Sequence, residues 1–548
     1  MPYYKDLREF LTELERRGRL HTFTEPVNKE TELMPLYRVQ MRGLPEEERK
    51  ILQFNDVRGA DGKPFPMRVA AGVYGAAPDF VAWGLGCDSI REAMDRWHEG
   101  MARPIDPVVV KNGPVHEEVH TGKELKELGL DELPSPVEEP GFSCMIRTGT
   151  AILTKDPETG ARNLGAYNGF FRDRDRIVSG AAVFHDAMAY HWPKARQRKE
   201  PLPIAIIVGS TPVIMIVASA PIPYGRYDEL AVAGGIMGEP VELVKCKTVP
   251  LEVPATAEIV IEGLMSTETT EEAVPFGEYP GYMSTESTFF PVIQVTAITH
   301  RKNAIFTPIT VGMYPSDSNT ILSYTYATML YDHLCYGAGY PIEDIHFPDS
   351  AGGREWCLIR LRNQRGVDPW TVLHAAAGLM GGSKYIVLVD NDIDVRDRDA
   401  VLWAMAYRCR PELDLEVVHG RNPALDPSGT PPGSGHGEMV YGASLLQNYH
   451  HSRLLFNATR KWAYPPVGLP AKEYMERAMA MWSEHKDLPQ PRLREPWHGY
   501  NLGNWSKDHE EFAKLIVKGK YREVGEKTAK RQKKVTSDTE KKDITIGR

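Results

Sequence analysis

Three side chains within one domain-sized stretch could together hold a cation: Asn163, His185 and Glu229. They offer an amide oxygen, an imidazole nitrogen and a carboxylate. That donor set suits a hard-to-borderline divalent ion such as Mg2+, Mn2+ or Fe2+ better than a thiolate zinc site. No local metal motif is matched, and each residue taken alone reads equally well as a surface or capping group. Glu278 lies in the Gly/Pro-rich turn VPFGEYPGY. Burial there would raise its pKa toward working pH and make it a general acid, whereas a structural carboxylate would only satisfy backbone donors. His436, in PPGSGHGEM, is a polar side chain among glycines and prolines, which suits either a substrate loop or a solvent-facing position. His333 and His346 are weaker candidates.

The elements that must position these groups follow from periodicity. Leu7, Phe10, Leu11 and Leu14 recur at helical spacing within Lys5 to Arg17, and Gly18 stands where a left-handed cap is wanted. Pro104–Pro107 and Pro134–Pro140 punctuate the next region. From Thr148 onward the pattern turns to strands and turns, with further strand series from Val241 to Ile261 and from Val292 to Ile309. This reads as a largely antiparallel sheet or split barrel interrupted by helices. The uncharged run from Pro201 to Gly225 is long enough to span a bilayer, but Pro203, Pro212, Pro221 and Pro223 break it. It is read as a buried strand followed by a second short buried element. Ser318 to Leu334 reads as a linking helix. Beyond it, WCLIRLR and KYIVLVD alternate with helical WTVLHAAAGLM and AVLWAMAYR, the pattern of a second α/β domain. The acids Asp390, Asp392 and Asp394 fit a solvated turn and helix cap as well as a metal role. The lysine-rich end has little apolar content and is expected to be a disordered tail.

The chain has 548 residues and a net charge of -9, which argues against nucleic acid as the main partner. Six scattered cysteines without a CxxC pair fit a reducing cytosol, with thiols buried as small apolar residues. The N-terminus has no apolar signal core, so a cytoplasmic protein without membrane contact is expected. Neither a Walker A motif nor a GxGxxG loop is present, and Gly234-Gly235 is only a small-residue pair.

KDPETGARNLGAYN, DELAVAGGIMGEPVELVKC, VPFGEYPGY and KYIVLVDNDIDVRD resemble the UbiD-type, prenylated-FMN-dependent decarboxylases. YKDLREFLTELERRGRLHTFTEPVN and LLFNATRKW extend the likeness, in order, to about residue 470. The resemblance implies an α/β (α+β) fold: a split-barrel flavin-binding domain and a second α/β oligomerisation domain joined by a helix. The expected division is residues 1–115, 116–315, 316–335, 336–490 and a C-terminal extension, 491–548. It implies prenylated FMN, a divalent metal (Mn2+, Fe2+ or Mg2+) and K+ as cofactors. Asn163, His185 and Glu229 match the divalent-metal ligands. Ala218 and Ser219 match positions whose backbone oxygens help hold potassium, with Glu229 bridging both ions. Lys384 matches the lysine that reaches the flavin phosphate. A flavin prenyltransferase as cofactor supplier and a homo-oligomer, dimer or hexamer, are further implications.

The catalytic positions depart from the family pattern. Where the family carries an arginine, in NxGxYR, this chain has Asn168. Of the acid pair in EGPFGE only Glu278 survives, because Ala273 stands at the first position. Glu271 and Glu272 could substitute only if the loop were redrawn. Asn457 replaces an aspartate and Met237 an arginine. Losing one cation and one anion together keeps the local charge balanced and points to a changed substrate. The resemblance implies non-oxidative decarboxylation of an aromatic carboxylic acid through a covalent prenylated-flavin adduct. The losses favour an aromatic acyl-CoA such as phthaloyl-CoA, with Glu278 as proton donor and His436 as the second candidate. The basic C-terminal end is a candidate partner for the CoA phosphates. Alternatives are a free aromatic acid (de)carboxylase, a catalytically silent subunit of a multi-subunit carboxylase, and a plain redox flavoprotein.

Overall fold

Leu7, Phe10, Leu11 and Leu14 are buried on one face of α1 (Leu7–Arg16), whose N-cap Asp6 accepts a hydrogen bond from the Glu9 amide at 2.9 Å. Gly18 follows at φ +70°, as its position after the helix requires. The computed structural model describes residues 3–180, 186–284, 288–362, 366–379, 383–420, 426–428, 452–491 and 493–532. It falls into two compact units, Met1–Asn391 with Val401–Thr459, and Asp392–Ala400 with Arg460–Arg548.

In the larger unit, β1 (Leu20–Asn28), β2 (Ile51–Arg58) and β3 (Arg68–Ala71) form a small mixed sheet completed by the short strand Ile305–Phe306. The central sheet has eight strands: β4 (Glu118–Thr121), β5 (Thr150–Lys155), β6 (Arg162–Tyr167), β7 (Gly169–Asp173), β8 (Arg176–Ser179), β9 (Leu202–Val208), β10 (Ile259–Ala273) and β11 (Thr288–His300). Its order is β6-β5-β9-β10-β11-β8-β7, with β4 also pairing β11, and the pairings are antiparallel. The path is open, yet its two end strands, β6 and β7, are consecutive in the chain with only Asn168 between them. An isolated Arg147↔Phe170 bridge and the Thr148 amide on the Gly169 carbonyl, 2.9 Å, draw the seam together. This is the split sheet expected from the sequence, without a closed ladder among the described residues.

The apolar run from Pro201 is core, as expected: β9 is almost wholly buried, and so is every residue of the helix that follows. Four helices frame the site: α2 (Asp186–Arg198), α3 (Pro212–Ala218), α4 (Glu229–Met237) and α5 (Asp317–Tyr331). Helix α5 is buried along most of its length, and its Asp317 accepts hydrogen bonds from the Tyr37 and Thr310 hydroxyls at 2.9 and 2.6 Å.

The second α/β region contains β12 (Ile342–His346), β13 (Trp356–Leu361), β14 (Tyr385–Val389), β15 (Leu415–His419) and β16 (Ser452–Ala458), in the order β12-β13-β14-β16-β15. Its centre is parallel, its edges are antiparallel, and α6 (Pro369–Leu379) packs on it. Asp390, at the end of β14, is buried against the Arg408 guanidinium at 2.8 Å, which makes it a structural ion pair. Asp394 accepts from the Arg396 amide at 2.8 Å, the capping role its turn allowed.

Two expectations are corrected. The lysine-rich end is not a featureless tail, because α9 (Tyr521–Ala529) lies within it, preceded by α7 (Lys472–Glu484) and α8 (Lys507–Ile516). Ser506 caps α8 at 3.1 Å, and Lys527–Glu511 and Arg531–Asp508 pairs join α8 to α9 and the turn after it. Residues 533–548 lie outside the described residues. The cysteines are free thiols as expected, but only Cys87 and Cys357 are buried; Cys246, Cys335 and Cys409 are half-buried and Cys144 is exposed. Among the described residues no helix is long and apolar enough to cross a membrane.

Arg408→Met leaves the Asp390 carboxylate buried without this guanidinium and is expected to cost about 3–5 kcal/mol, read as a lower urea midpoint. Replacing both residues by apolar ones is expected to restore most of that loss, and an unshifted midpoint in the single variant refutes the structural role.

Candidate functional site

Strand β6 follows the DPETG turn and runs beside β5, with Asn163 opposite Thr154. Asn163 is buried, with its amide nitrogen 3.4 Å from the Tyr167 hydroxyl. Helix α4 begins at Glu229 because Asp228 caps it, accepting from the Leu230 amide at 2.9 Å. The same Asp228 holds Arg162 of β6 at 2.7 Å, so one carboxylate both starts the helix and ties it to the strand. The result brings Glu229 onto β6, where its Oε2 accepts from the Leu164 amide at 3.2 Å. Burial pushes the Glu229 carboxyl up to about 7 against the pull of its backbone donors. Two of the three expected metal ligands, Asn163 and Glu229, are therefore neighbours. His185 lies outside the described residues, immediately before α2.

Ala218 is the last residue of α3 and Ser219 its C-cap, where helix carbonyls lose their intrahelical partners and the negative end of the dipole favours a cation. The Ser219 carbonyl is 3.5 Å from the Thr325 hydroxyl. An amide oxygen, a buried carboxylate and helix-end carbonyls are hard oxygen donors, so the residues present fit a divalent ion and a potassium ion. Lys384 donates to Asp426 at 3.1 Å and to Ser428 at 2.5 Å. Asn168 turns the chain from β6 into β7, and its carbonyl accepts from the Ser179 hydroxyl at 2.8 Å.

Glu278 sits in a tight hairpin. Its amide donates to the Tyr282 carbonyl, its carbonyl accepts from the Gly281 amide, both at 2.9 Å, and Gly281 takes φ +92°. A small part of Glu278 reaches solvent, while protein surrounds the carboxyl. Burial pushes it up to about 7, opposed first by the Arg147 charge and then by the Tyr279 amide, and reinforced by Glu139. Glu271 is not a substitute for the missing acid. It pairs with Arg176 at 3.3 Å and Arg172 at 3.7 Å on β10, away from the hairpin's turn. Asn457 is buried on β16, where its side-chain oxygen accepts from the Thr459 hydroxyl at 2.6 Å, and Met237 ends α4. His333 is exposed on the turn after α5, His346 ends β12, and His436 lies outside the described residues.

The sequence reading missed Arg147, Glu138 and Glu139. Arg147 grips Glu138 with two parallel hydrogen bonds, one of them 2.7 Å, and donates to the Gly277 carbonyl at 3.1 Å. Glu138 in turn accepts from the Val311 amide at 3.1 Å. Glu139 lies 3.9 Å from Arg147 and 3.8 Å from Arg38, and burial followed by the Glu138 charge pushes its carboxyl up. A Cβ at Gly277 would fall 2.3 Å from the Glu139 carboxylate, so any side chain here would have to displace that acid. The only available signal was a paired acid followed eight residues later by an arginine, in VEEPGFSCMIR. His191 was also missed. It is fully buried between the Thr154 hydroxyl, 2.8 Å, and the Tyr224 hydroxyl, 3.2 Å, and burial pushes it down to about 4.

Comparison with known proteins bears on this geometry. Models of the 3-octaprenyl-4-hydroxybenzoate carboxy-lyase N-terminal, Rift-related and C-terminal domains match residues 11–97, 107–314 and 319–448. An uncharacterized protein of Aquifex aeolicus (strain VF5) is 30% identical over 504 residues, 87% of this chain and 98% of that protein. Among solved structures, the closed form of the vanillic acid decarboxylase of Sedimentibacter hydroxybenzoicus is 26% identical, with a TM-score of 0.72 over 88% of this chain and 100% of that one. The apo 3,4-dihydroxybenzoic acid decarboxylase of Enterobacter cloacae is 25% identical, with a TM-score of 0.71 over 90% and 98%. An evolved dimeric form of the UbiD-class enzyme HmfF from Pelotomaculum thermopropionicum, in complex with prFMN, is alike in fold: 23% identity, TM-score 0.73, 86% and 98% covered.

With the Glu278 carboxyl held near 7, above the ordinary glutamate value of 4.5, the fold keeps a proton that the unfolded chain releases. The cost of burying its charge is absent below about 4.5 and complete above about 7, so Glu278 lowers stability as pH rises through that window. A carboxylic-acid C=O infrared band should fade between about pH 6 and about pH 8 and lose its Glu278 component in Glu278→Gln. A spectrum unchanged by that substitution refutes the assignment.

Proposed function

This chain belongs to the UbiD family of carboxy-lyases, and on that premise we propose that it decarboxylates an aromatic carboxylic acid with prenylated FMN as cofactor. The observation that carries the reading is the Leu164–Glu229 hydrogen bond, which joins Asn163 and Glu229 in the unit that also holds the Glu278 hairpin. Support for the substrate class comes from the vanillic and 3,4-dihydroxybenzoic acid decarboxylases to which the chain is similar. When bound, the prenylated flavin supplies an electron sink as CO2 leaves.

The chain's own residues do the rest. Asn163, Glu229 and His185 would hold the divalent ion, the Ala218 and Ser219 carbonyls with Glu229 would hold potassium, and Lys384 would meet the flavin phosphate after exchanging its Asp426 and Ser428 contacts. A divalent ion and a lysine neutralise a phosphate in a low-dielectric site, which a buried anion requires. Glu278, protonated below about 7, delivers the proton to the ring carbon that loses CO2. His436 is the alternative donor. Arg147 is a positioning residue: its fork on Glu138 and its bond to Gly277 fix the hairpin, and its charge keeps Glu278 from rising further.

The preferred substrate form in this proposal is an aromatic acyl-CoA such as phthaloyl-CoA. Asn168 and Ala273 remove the charged pair at their positions, and the Arg147 guanidinium is already engaged by Glu138 and Gly277. A substrate whose ring is already electron-poor needs less help from a cation. The proposal also includes a homo-oligomer formed through the second α/β domain, a flavin prenyltransferase as supplier, a cytoplasmic location, and the five-part domain division.

Glu278→Gln is expected to retain the flavin and lose turnover by roughly 10²-fold or more. Wild-type-like turnover would transfer the role to His436. Glu229→Gln is expected to lower flavin occupancy and activity together, and full flavin retention with unchanged metal content would remove Glu229 from the cofactor site. Steady-state rates on phthaloyl-CoA and on free phthalate decide the substrate form. Faster turnover of the free acid refutes the thioester proposal and leaves the decarboxylase reading in place.

A further inference from the structure

At the far end of β11, a second donor set stands apart from the residues above. His120 of β4 pairs with Ile298 of β11, and His300 lies two residues further along β11. Side chains two apart on a strand share a face, so the two imidazoles are diagonal neighbours across the strand pair. Their rings meet edge to face with centroids 5.1 Å apart. Glu132 reaches them from the 3-10 turn Gly129–Glu132. That turn is anchored by the Leu130 amide on the Arg174 carbonyl at 2.7 Å. Gly129 takes φ +54°, and a Cβ there would lie 2.4 Å from the same carbonyl.

The three donors converge. His120 Nδ1 is 2.9 Å from Glu132 Oε1, His300 Nε2 is 3.9 Å from Glu132 Oε2, and all three donor atoms lie within 4.8 Å of one another. Bond lengths of about 2.0–2.2 Å put the donors of a tetrahedral ion roughly 3.3–3.6 Å apart. The observed separations bracket that value. The His300 Nδ1–H donates to the Arg301 carbonyl at 2.9 Å, which leaves the lone pair on Nε2. Such an outer bond to a carbonyl is what orients a ligating histidine. Nε2 is buried and has no hydrogen-bond partner among the described residues, an expensive arrangement for a polar atom. The neighbouring Arg301 guanidinium does not compete for the site, being held by Asp6 at 2.8 Å and Glu258 at 3.4 Å.

We propose that His120, Glu132 and His300 bind a divalent metal ion, with Zn2+ the best match. Two imidazoles and one carboxylate are a common zinc donor set, and a water on the partly exposed His120 side completes four-coordination. The ion joins β4, the end of β11 and the turn that leads into the segment carrying Glu138 and Glu139. It stabilises the folded state by binding it and not the unfolded chain. The proposal is independent of the decarboxylase reading.

The test uses full-length protein in a Glu229→Gln background, which disables the other expected cation site. After chelation and dialysis, Zn2+ alone is titrated calorimetrically and Co2+ is followed by its visible d–d absorption. One tight equivalent of Zn2+ is expected, with a rise in Tm. His120→Asn and His300→Gln should each weaken binding by at least about 100-fold, since losing even an outer-shell partner costs up to that much. His120 is partly exposed, so its variant keeps the test readable if His300→Gln does not fold. No zinc binding in the parent, or unchanged binding and Tm shift in His120→Asn, overturns the site and leaves only a His120–Glu132 hydrogen bond.

Discussion

The Arg147 guanidinium is the constraint on which the candidate catalytic hairpin depends. A buried arginine is tolerated only when its donors are met and its charge is paired. Here Glu138 accepts two of the bonds and the Gly277 carbonyl accepts a third, so the arginine is satisfied only while the hairpin is in place. The same charge opposes the burial that raises Glu278. One side chain thus helps to fix the position of the hairpin and holds down the pKa that burial raises in the carboxyl it carries. Bidentate pairing is something a lysine could not reproduce.

Arg147 also lies close to the turn where Asn168 stands. Arg147 bridges Phe170 across the seam where β6 passes into β7, next to the turn at Asn168. A guanidinium is absent from the turn, and Arg147 belongs to the irregular segment bridged to Phe170 beside it. Glu138 and Glu139 likewise supply acid groups from a different segment than β10. Because Glu138 holds the guanidinium, this arginine orients protein rather than substrate.

Much of this was legible in the sequence. Periodicity placed α1, the antiparallel series and the parallel-centred second sheet, because each rests on apolar faces that local pattern records. The run from Pro201 was rightly read as core. Asn163 and Glu229 were found through resemblance, but their adjacency depends on Asp228 capping one element and binding Arg162 of another. Arg147 was not legible, since its partners lie nine residues before it and 130 after it. His120, Glu132 and His300 were missed for the same reason: strand register, not spacing, brings them together. The C-terminal helices were missed because composition was weighed and pairing was not. Lys527 with Glu511 and Arg531 with Asp508 connect residues 16 and 23 apart.

Those pairs also change the argument for a thioester. A basic tail attracts a phosphorylated handle only through charge that is not already compensated. In the described part of the tail, Lys514, Lys520, Lys527 and Arg531 are each paired with Glu510, Glu523, Glu511 and Asp508. These pairs are exposed and individually weak. They nonetheless offset part of the positive charge that the count of lysines implies. The case for an acyl-CoA therefore rests on the site itself, where Asn168 and Ala273 leave no free charged pair and Arg147 is already engaged. In the proposal, the substrate brings its own electron-withdrawing group.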